Sequence, residues 1–343
     1  MEKILALPVE QNLTKAKSLI RNGKSLEALE LYNAILRKFP NNKRAQFGIQ
    51  QLKPSEQTIN QLMQFYNSGR YEDAEILGLN TIKIFPFHHF TWKVLNAVFI
   101  KTGKLSQALI AAKKAVLINP QDSDSHSNLG ITLRLEGKLE EAEVSFKQSI
   151  KLKKDNAEAF NDLGITLKQL GRLEEAEENY KKAIFFNSKY AHAYFNLGIT
   201  LHELNRFQDA EKSYKEAINL NCNYAEAYNN LGITLNSLKK LKDSEKCYKK
   251  AIDLKPNYAE AYNNMGLVLK DQSKFDEAIE AHQKAIDLNP NYAEAYSNIG
   301  DVLKDQDEFD KAIKVYQKAI SLNPNYAEAY NNMGVVLQDQ GKL

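Results

Sequence analysis

The chain has 343 residues, of which 43% are hydrophobic, and a formal net charge of +3. These proportions exclude a disordered chain, and the small net charge gives no support to nucleic-acid binding. No apolar run reaches 18 residues, so we expect no membrane contact, and the apolar run at 4–9 is too short for a signal peptide. Two cysteines, Cys222 and Cys247, lack metal-ligand spacing and favour a reducing, cytoplasmic location.

Read from the N-terminus, the chain divides into a short irregular part and a long regular one. Gly23 and Pro40 mark a first repeat, and Pro54 stops a short helix before the regular part begins. The predicted boundaries are a frayed N-terminus at 1–8, a first repeat at 9–42, a short helical insert at 43–54, and a continuous array at 55–343 with eight full repeats and a half repeat at 327–343.

The regular part is defined by a glycine that recurs every 34 residues. The seven positions are Gly130, Gly164, Gly198, Gly232, Gly266, Gly300 and Gly334. A fixed period of this length is typical of stacked supersecondary units that pack mainly on their neighbours and bind partners along an extended surface. We therefore expect a binding scaffold and not a single-pocket enzyme.

Each unit, numbered so that its glycine is position eight, follows the pattern of two amphipathic helices. In the unit 259–292, Tyr262 and Leu269 keep helical spacing, a turn falls near Ser273, and Pro290 ends the second helix. Helices of about 13 residues are marginal alone in water, so stacking must stabilise them. Positions four, eight and eleven share the predicted core face of the first helix. The pattern predicts an all-α array of helix–turn–helix repeats.

The run AEAYNNMG at 259–266, with Ala278 and Pro290 at fixed offsets, resembles the tetratricopeptide repeat. The resemblance covers 9–42 and 55–343. It implies a right-handed α-solenoid in which first helices line the concave face and second helices the convex face. It also implies a non-catalytic scaffold that holds a protein or an extended peptide segment, because members of the family share that function.

Position six of the first helices points away from the predicted core. Its occupants are Asn128, Asp162, Asn196, Asn230, Asn264, Asn298 and Asn332. A carboxamide donates and accepts hydrogen bonds, so it can pair with the backbone of an extended peptide. The column is similar to the asparagine ladder in the tetratricopeptide arms of O-GlcNAc transferases, and we predict that it binds peptide. Copying of asparagines by repeat duplication, without a binding role, stays open as the alternative.

Position nine lies next to this column. It holds Ile131, Ile165, Ile199, Ile233, Leu267, Asp301 and Val335. These mostly aliphatic side chains would either contact a ligand or pack against the neighbouring repeat, and packing is favoured.

Catalytic motifs are missing from the sequence. We find no phosphate loop, GxGxxG, GxSxG or HExxH pattern, and the six histidines lack ligand spacing. We therefore predict no enzyme activity, no cofactor and no metal. Aromatic residues occupy core positions and do not alternate with arginines on an open face, so no nucleic acid partner is expected.

The residues 327–343 supply one helix and a turn without a second helix. Terminal units of a solenoid normally carry a polar cap, so we expect either a chain that continues beyond Leu343 or self-association through this uncapped end. Bacterial proteins with similar arrays continue into glycosyltransferase or sulfotransferase domains, and the run at 85–95 resembles an early-repeat segment of that group. The resemblance thus leaves an alternative function, the substrate-recruiting arm of an O-GlcNAc-transferase-like glycosyltransferase or of a sulfotransferase.

Overall fold

The computed structural model describes residues 8–22 and 24–341. These residues form twenty α-helices and no strand, which confirms the all-α class. No helix among them is long and apolar enough to cross a membrane. Gly23, most of the predicted frayed end and the last two residues lie outside the described residues.

The chain divides into two compact units, Met1–Leu170 and Gly171–Leu343. The helices of the first unit are α1 (Val9–Arg21), α2 (Ser25–Lys38), α3 (Lys43–Gln50), α4 (Glu56–Asn67), α5 (Tyr71–Ile84), α6 (His89–Lys101), α7 (Leu105–Ile118), α8 (Ser123–Leu135), α9 (Leu139–Leu152) and α10 (Ala157–Gln169). The helices of the second unit are α11 (Leu173–Phe186), α12 (Ala191–Glu203), α13 (Phe207–Leu220), α14 (Ala225–Ser237), α15 (Leu241–Leu254), α16 (Ala259–Asp271), α17 (Phe275–Leu288), α18 (Ala293–Asp305), α19 (Phe309–Leu322) and α20 (Ala327–Asp339).

The short helix α3 packs against the first helix pair, α1 and α2. Gly48 of α3 lies against the ring of Tyr32, which is almost fully buried in α2. The side chain of Asn42 caps α3 by accepting a hydrogen bond from the Ala45 backbone nitrogen, 3.0 Å away. The helix ends at Gln50, and Ser55 then caps α4 in the same way. The division of 1–54 into repeat and insert stays a prediction.

Within a repeat, the two helices meet where the position-eight glycine packs on an aromatic ring at position 24. The pairs are Gly130 with Phe146, Gly198 with Tyr214, Gly232 with Tyr248, Gly266 with His282, and Gly300 with Tyr316. A Cβ at any of these glycines would lie 2.5 to 2.8 Å from the nearest ring atom. Glycine is therefore needed at position eight because the helices cross in close contact.

The core face of the first helices differs from the prediction at one position. Positions eight and eleven are buried in the repeats between 123 and 326. The aromatic at position four packs against the core, as Tyr262 and Tyr296 do, but it is only partly buried in most repeats, and Tyr330 is 48% exposed. The fully buried positions are three and ten, such as Ala227 and Thr234. The threonines at position ten also donate to the backbone carbonyl of position six, as Thr234 does to Asn230 at 2.9 Å.

Ion pairs link successive second helices. A glutamate at position 21 binds the basic residue that precedes the next second helix, in the pairs Glu75–Lys104, Glu177–Arg206, Glu211–Lys240 and Glu245–Lys274, with N–O distances of 2.6 to 2.8 Å. In the last two complete repeats Ile279 and Ile313 take this position and pack into the apolar core instead.

Candidate peptide-binding surface

The first helices form the inner face of each unit. In the first unit α6 contacts α8 and α8 contacts α10; in the second unit α12, α14, α16, α18 and α20 contact one another in succession. Second helices of successive repeats approach each other less closely, so each unit curves towards its first helices. Position six lies on this inner face in both units.

The structure places every predicted column residue on a first helix and leaves each one partly exposed. Asn128 and Asp162 lie in the first unit. Asn196, Asn230, Asn264, Asn298 and Asn332 lie in the second unit. The side chains in this column do not all make the same contacts.

Three carboxamides of the second unit bind the preceding repeat through their nitrogen. The Nδ2 atom of Asn264 donates to Oδ1 of Asn229 at 3.1 Å, and Nδ2 of Asn298 donates to Oδ1 of Asn263 at 3.0 Å. Asn332 donates in the same way to Oδ1 of Asp301 at 2.9 Å. The carbonyl oxygen of each carboxamide is therefore the group that can accept a hydrogen bond from a bound segment.

The acceptors for two of these bonds were not predicted from the sequence. Asn229 and Asn263 stand at position five and are 0% and 4% exposed, since they lie in the junction between repeats. The pair Asn-Asn recurs at positions five and six, and this is the sequence pattern from which the two acceptors could have been predicted. Asn263 also binds the buried His282, with Oδ1 and Nδ1 2.9 Å apart.

Asn230 is bonded differently. Its Oδ1 accepts a hydrogen bond from Nδ2 of the preceding residue, Asn229, at 3.2 Å. Asn230 also lines a small cavity of about 130 Å³ on the inner face. The other lining residues come from three helices and are Ile199, His202, Glu203, Tyr214 and Ile233. Two position-nine isoleucines thus border the column here.

His202 in this cavity has an unusual environment. Its ring packs edge-on against Phe207, with centroids 5.0 Å apart, and its Nε2 has no hydrogen-bond partner among the described residues. Burial lowers the pKa of His202, so the imidazole is neutral at pH 7. Tyr214 reaches the same cavity from a second helix, which the projection of first helices alone could not show.

Asp162 is the one carboxylate in the column. Burial raises its pKa to about 6, while the Arg134 guanidinium, 3.7 Å away, opposes that shift. Arg134 belongs to position twelve of the preceding repeat. The carboxyl group therefore titrates close to neutrality, and Asp162 is not equivalent to the asparagines.

Asp301 interrupts the aliphatic row at position nine. Its Oδ1 accepts hydrogen bonds from the Tyr316 hydroxyl at 2.6 Å and from Asn332 at 2.9 Å. Burial, together with the bond to Asp301, raises the pKa of Tyr316. The other position-nine side chains are partly buried, except Val335, which is 41% exposed.

A larger cavity, of about 350 Å³, opens beside the second helices of the second unit, between α15, α16 and α17. Its rim carries both acidic and basic side chains, and Glu245 there accepts from Lys249 at 2.6 Å and from Lys274 at 2.8 Å. Glu245, Lys249 and Lys274 thus form an ion-pair cluster at the rim of this cavity.

Helix pairs stacked with a 34-residue period, whose first helices line an inner face, define a helical repeat scaffold. A family model described as TPR repeat matches 132–171, 166–205, 200–238 and 300–341. Models described as tetratricopeptide repeat match 13–49, 111–144, 225–258, 259–292 and 283–314. These matches cover well over half of the chain, which therefore belongs to the tetratricopeptide repeat family.

Solved structures show the same fold. The Cut9–Hcn1 hetero-tetramer of the APC/C matches with 16% identity and a TM-score of 0.59, over 97% of this chain and 65% of that chain. A tetratricopeptide repeat protein from Parabacteroides merdae matches with 20% identity and a TM-score of 0.56, over 73% and 98%. The pilF protein of Pseudomonas aeruginosa matches with 21% identity and a TM-score of 0.54, over 61% and 95%. No curated protein matches the chain.

Proposed function

We propose that the chain is a non-catalytic scaffold whose first-helix face binds an extended peptide segment of a partner protein. The observation that carries the proposal is the repeated contact of Asn264, Asn298 and Asn332. Each nitrogen is bound to the preceding repeat, so each carboxamide is held in place with its oxygen as the free acceptor. Such a row accepts from backbone N–H groups and does not depend on the side chains of the ligand.

The spacing of the repeats favours a particular backbone conformation in the ligand. Packed helices lie about 8–10 Å apart, and three residues of a polyproline II segment advance about 9 Å. That conformation has three residues per turn, so every third N–H points the same way. A β-strand alternates with a period of two. The ligand is therefore a polyproline II-like segment with one N–H on each asparagine oxygen.

The test uses the whole chain and linear peptides selected against it from a random library. Their Kd is measured by fluorescence anisotropy for the wild type and for Asn264→Ala/Asn298→Ala. The loss of two hydrogen bonds, at ~0.5–1.5 kcal/mol each, predicts binding weaker by about 5- to 150-fold.

A matched control separates binding from folding. The variant Asn229→Ala/Asn263→Ala removes the acceptors of the same two inter-repeat bonds but keeps both position-six carboxamides. Because both carboxamides then lose their anchor but keep their oxygens, we expect its Kd to weaken by about threefold, clearly less than in Asn264→Ala/Asn298→Ala. Equal weakening in both variants would mean that the asparagines act only through repeat stacking, and unchanged binding in the first would remove the column from the site. A substrate-recruiting arm would use the same surface and give the same results.

A further inference from the structure

Position twelve of the first helices faces the following repeat. In two repeats it holds a basic residue that reaches a carboxylate there: Arg134 lies 3.7 Å from Asp162, and Lys270 lies 3.4 Å from the carboxylate at position thirteen of the next first helix. In α12 and α14 the same position holds the shorter side chains of His202 and Asn236. These two neighbouring repeats therefore fill the junction between first helices in a different way.

Both of the shorter side chains leave a buried polar atom without a hydrogen-bond partner. The atoms are Nε2 of His202 and Oδ1 of Asn236, and neither has a partner among the described residues. Buried polar groups in proteins are nearly always hydrogen-bonded, so each exception calls for an explanation. A bound segment that passes over α12 and α14 would supply a partner to both atoms.

The imidazole of His202 lines the inner-face cavity of about 130 Å³. Ile199 and Ile233 form the apolar part of this cavity. Its other uncharged polar groups already have partners, because Oδ1 of Asn230 accepts from the preceding residue at 3.2 Å and the same side chain binds the Tyr214 hydroxyl. Within the described part of the chain, the cavity therefore combines apolar walls with one unpartnered polar atom.

These features favour one kind of ligand side chain. Since a cavity of about 150 Å³ admits a benzene molecule, one of about 130 Å³ admits a side chain of about three to five heavy atoms. An apolar side chain of that size would leave the imidazole nitrogen unpartnered, and a carboxylate would approach the Glu203 carboxylate at the rim. A carboxamide would bring two polar atoms to one partner. Threonine fits, because its methyl group packs on the isoleucines and its hydroxyl bonds to either tautomer of a neutral imidazole.

We propose that this cavity binds the side chain of a threonine in the bound segment, with the hydroxyl on Nε2 of His202 and the methyl group between Ile199 and Ile233. The inference rests on the proposed function, because it requires the segment to follow the inner face. The χ2 torsion of histidine is broad, so a small rotation of the ring, which already lines the cavity, turns Nε2 towards the ligand. Asn264 lies one repeat further along, so the threonine stands about three to five residues from the residue whose N–H binds Asn264.

The test starts from a linear peptide selected against the whole chain from the random library. Threonine and valine are placed in turn at each position of this peptide, and the Kd of every variant is measured by fluorescence anisotropy. We expect one position at which threonine binds about three- to tenfold tighter than valine. In His202→Leu this preference should disappear or reverse at the same position, because the polar atom that binds the hydroxyl is gone.

Two further variants separate this contact from general effects on folding. His202→Gln keeps a polar atom close to the place of Nε2 and should retain part of the preference for threonine. His192→Leu changes a histidine of the same helix that lies outside the cavity, and it should leave the preference unchanged. Circular dichroism confirms that the three variants keep the helix content of the wild type.

Phosphothreonine at the preferred position tests the size and charge of the cavity. It should bind at least about tenfold more weakly than threonine, because the phosphate brings negative charge to Glu203 at the rim and overfills the cavity. Equal binding of the two would overturn the threonine site.

The failure of this inference can be told apart from the failure of the proposed function. If no linear peptide binds the chain, the proposed function fails and the threonine site with it. If a peptide binds and is weakened by Asn264→Ala/Asn298→Ala, the proposed function stands. In that case, equal Kd values for threonine and valine at every position, or a preference that survives in His202→Leu, overturn the threonine site alone.

Discussion

The ring of Tyr248 lies directly on the backbone of Gly232, where an added Cβ would stand 2.6 Å from a ring carbon. Tyr248 is 2% exposed and is held on all sides, so the ring cannot move away at low cost. The contact recurs in successive repeats and fixes the distance between first and second helices.

Gly232→Ala is expected to destabilise the second unit by about 1–3 kcal/mol, because the helices must separate to admit the methyl group. Gly334 is its matched control, since it occupies the same repeat position but a Cβ added there would meet no atom of the described residues within 4 Å. Gly334→Ala should be neutral or stabilising by about 0.5–1 kcal/mol, because alanine favours a helix. Urea unfolding monitored by circular dichroism measures both. Equal effects in the two variants would contradict the packing explanation.

The buried His282 should make the stability of the second unit depend on pH. Burial lowers its pKa from 6.5 to about 4, and Lys270 contributes in the same direction. Below pH 6.5 the unfolded chain binds a proton that the native chain does not, so stability falls as pH drops from 6.5 to 4. The full shift corresponds to about 3 kcal/mol.

His282→Phe, which introduces the residue type of Phe146 at the same position of another repeat, should remove that dependence. The measurement is the urea midpoint of both proteins at several pH values between 7 and 4. Plots of the urea midpoint against pH for the wild type and for His282→Phe should diverge between pH 6.5 and 4 and run parallel above pH 6.5. Parallel curves throughout would show that His282 does not titrate as inferred.

The turn between the two helices of a repeat offers a stabilising substitution. Ser273 has a φ of 59°, in the left-handed region, where Gly137 of an earlier repeat has a φ of 77°. Ser273→Gly relieves backbone strain of about 1–2 kcal/mol but increases the entropy of the unfolded chain. The net expectation is a gain of about 0.5–1 kcal/mol, read from thermal unfolding. Gly137→Ala should lower stability, and a gain there would contradict the argument.

Glu245 connects two second helices and should contribute to stability above pH 4.5. Hydrogen bonds from Lys249 and Lys274 lower its pKa from 4.5 to about 2. Its own side chain is only 13% exposed, but the lysines are 61% and 40% exposed, so solvent reduces the contribution to about 1 kcal/mol. This contribution is lost as pH falls from 4.5 to 2, because in that range the unfolded chain binds a proton at Glu245 that the native carboxylate does not yet bind.

Glu245→Gln should therefore lower stability at pH 7 by about 1 kcal/mol, and less in 1 M salt. Glu280→Gln, at an exposed position of the next second helix, is the control and should have little effect. Chemical unfolding at low and high salt measures both variants. A difference between them that persists unchanged in high salt would rule out the ionic explanation.

The sequence contains enough information for the helices between 123 and 339, because the 34-residue glycine period sets both their number and their phase. The outward placement of Asn264 and Asn298 also follows from helical projection alone. The direction of their carboxamides does not, since it depends on hydrogen bonds to position five of the preceding repeat. Those bonds depend on the offset between stacked first helices, which no local pattern encodes.

Helical projection of the first helices also leaves out the side chains that the second helices contribute to the inner face. Tyr214 reaches the inner face past Gly198, and Tyr316 binds Asp301 in the same way. Both contacts cross from one helix of a pair to the other.

The ion pairs between second helices stop where Ile279 and Ile313 replace glutamate. Added electrolyte screens the junctions at Glu177 and Glu211, whereas apolar junctions gain strength in excluded salts such as sulfate. A higher concentration of such a salt therefore lowers the stability of the early repeats of the second unit relative to that of its late repeats. The salt content of the solvent alone can thus determine which repeats of one chain unfold first.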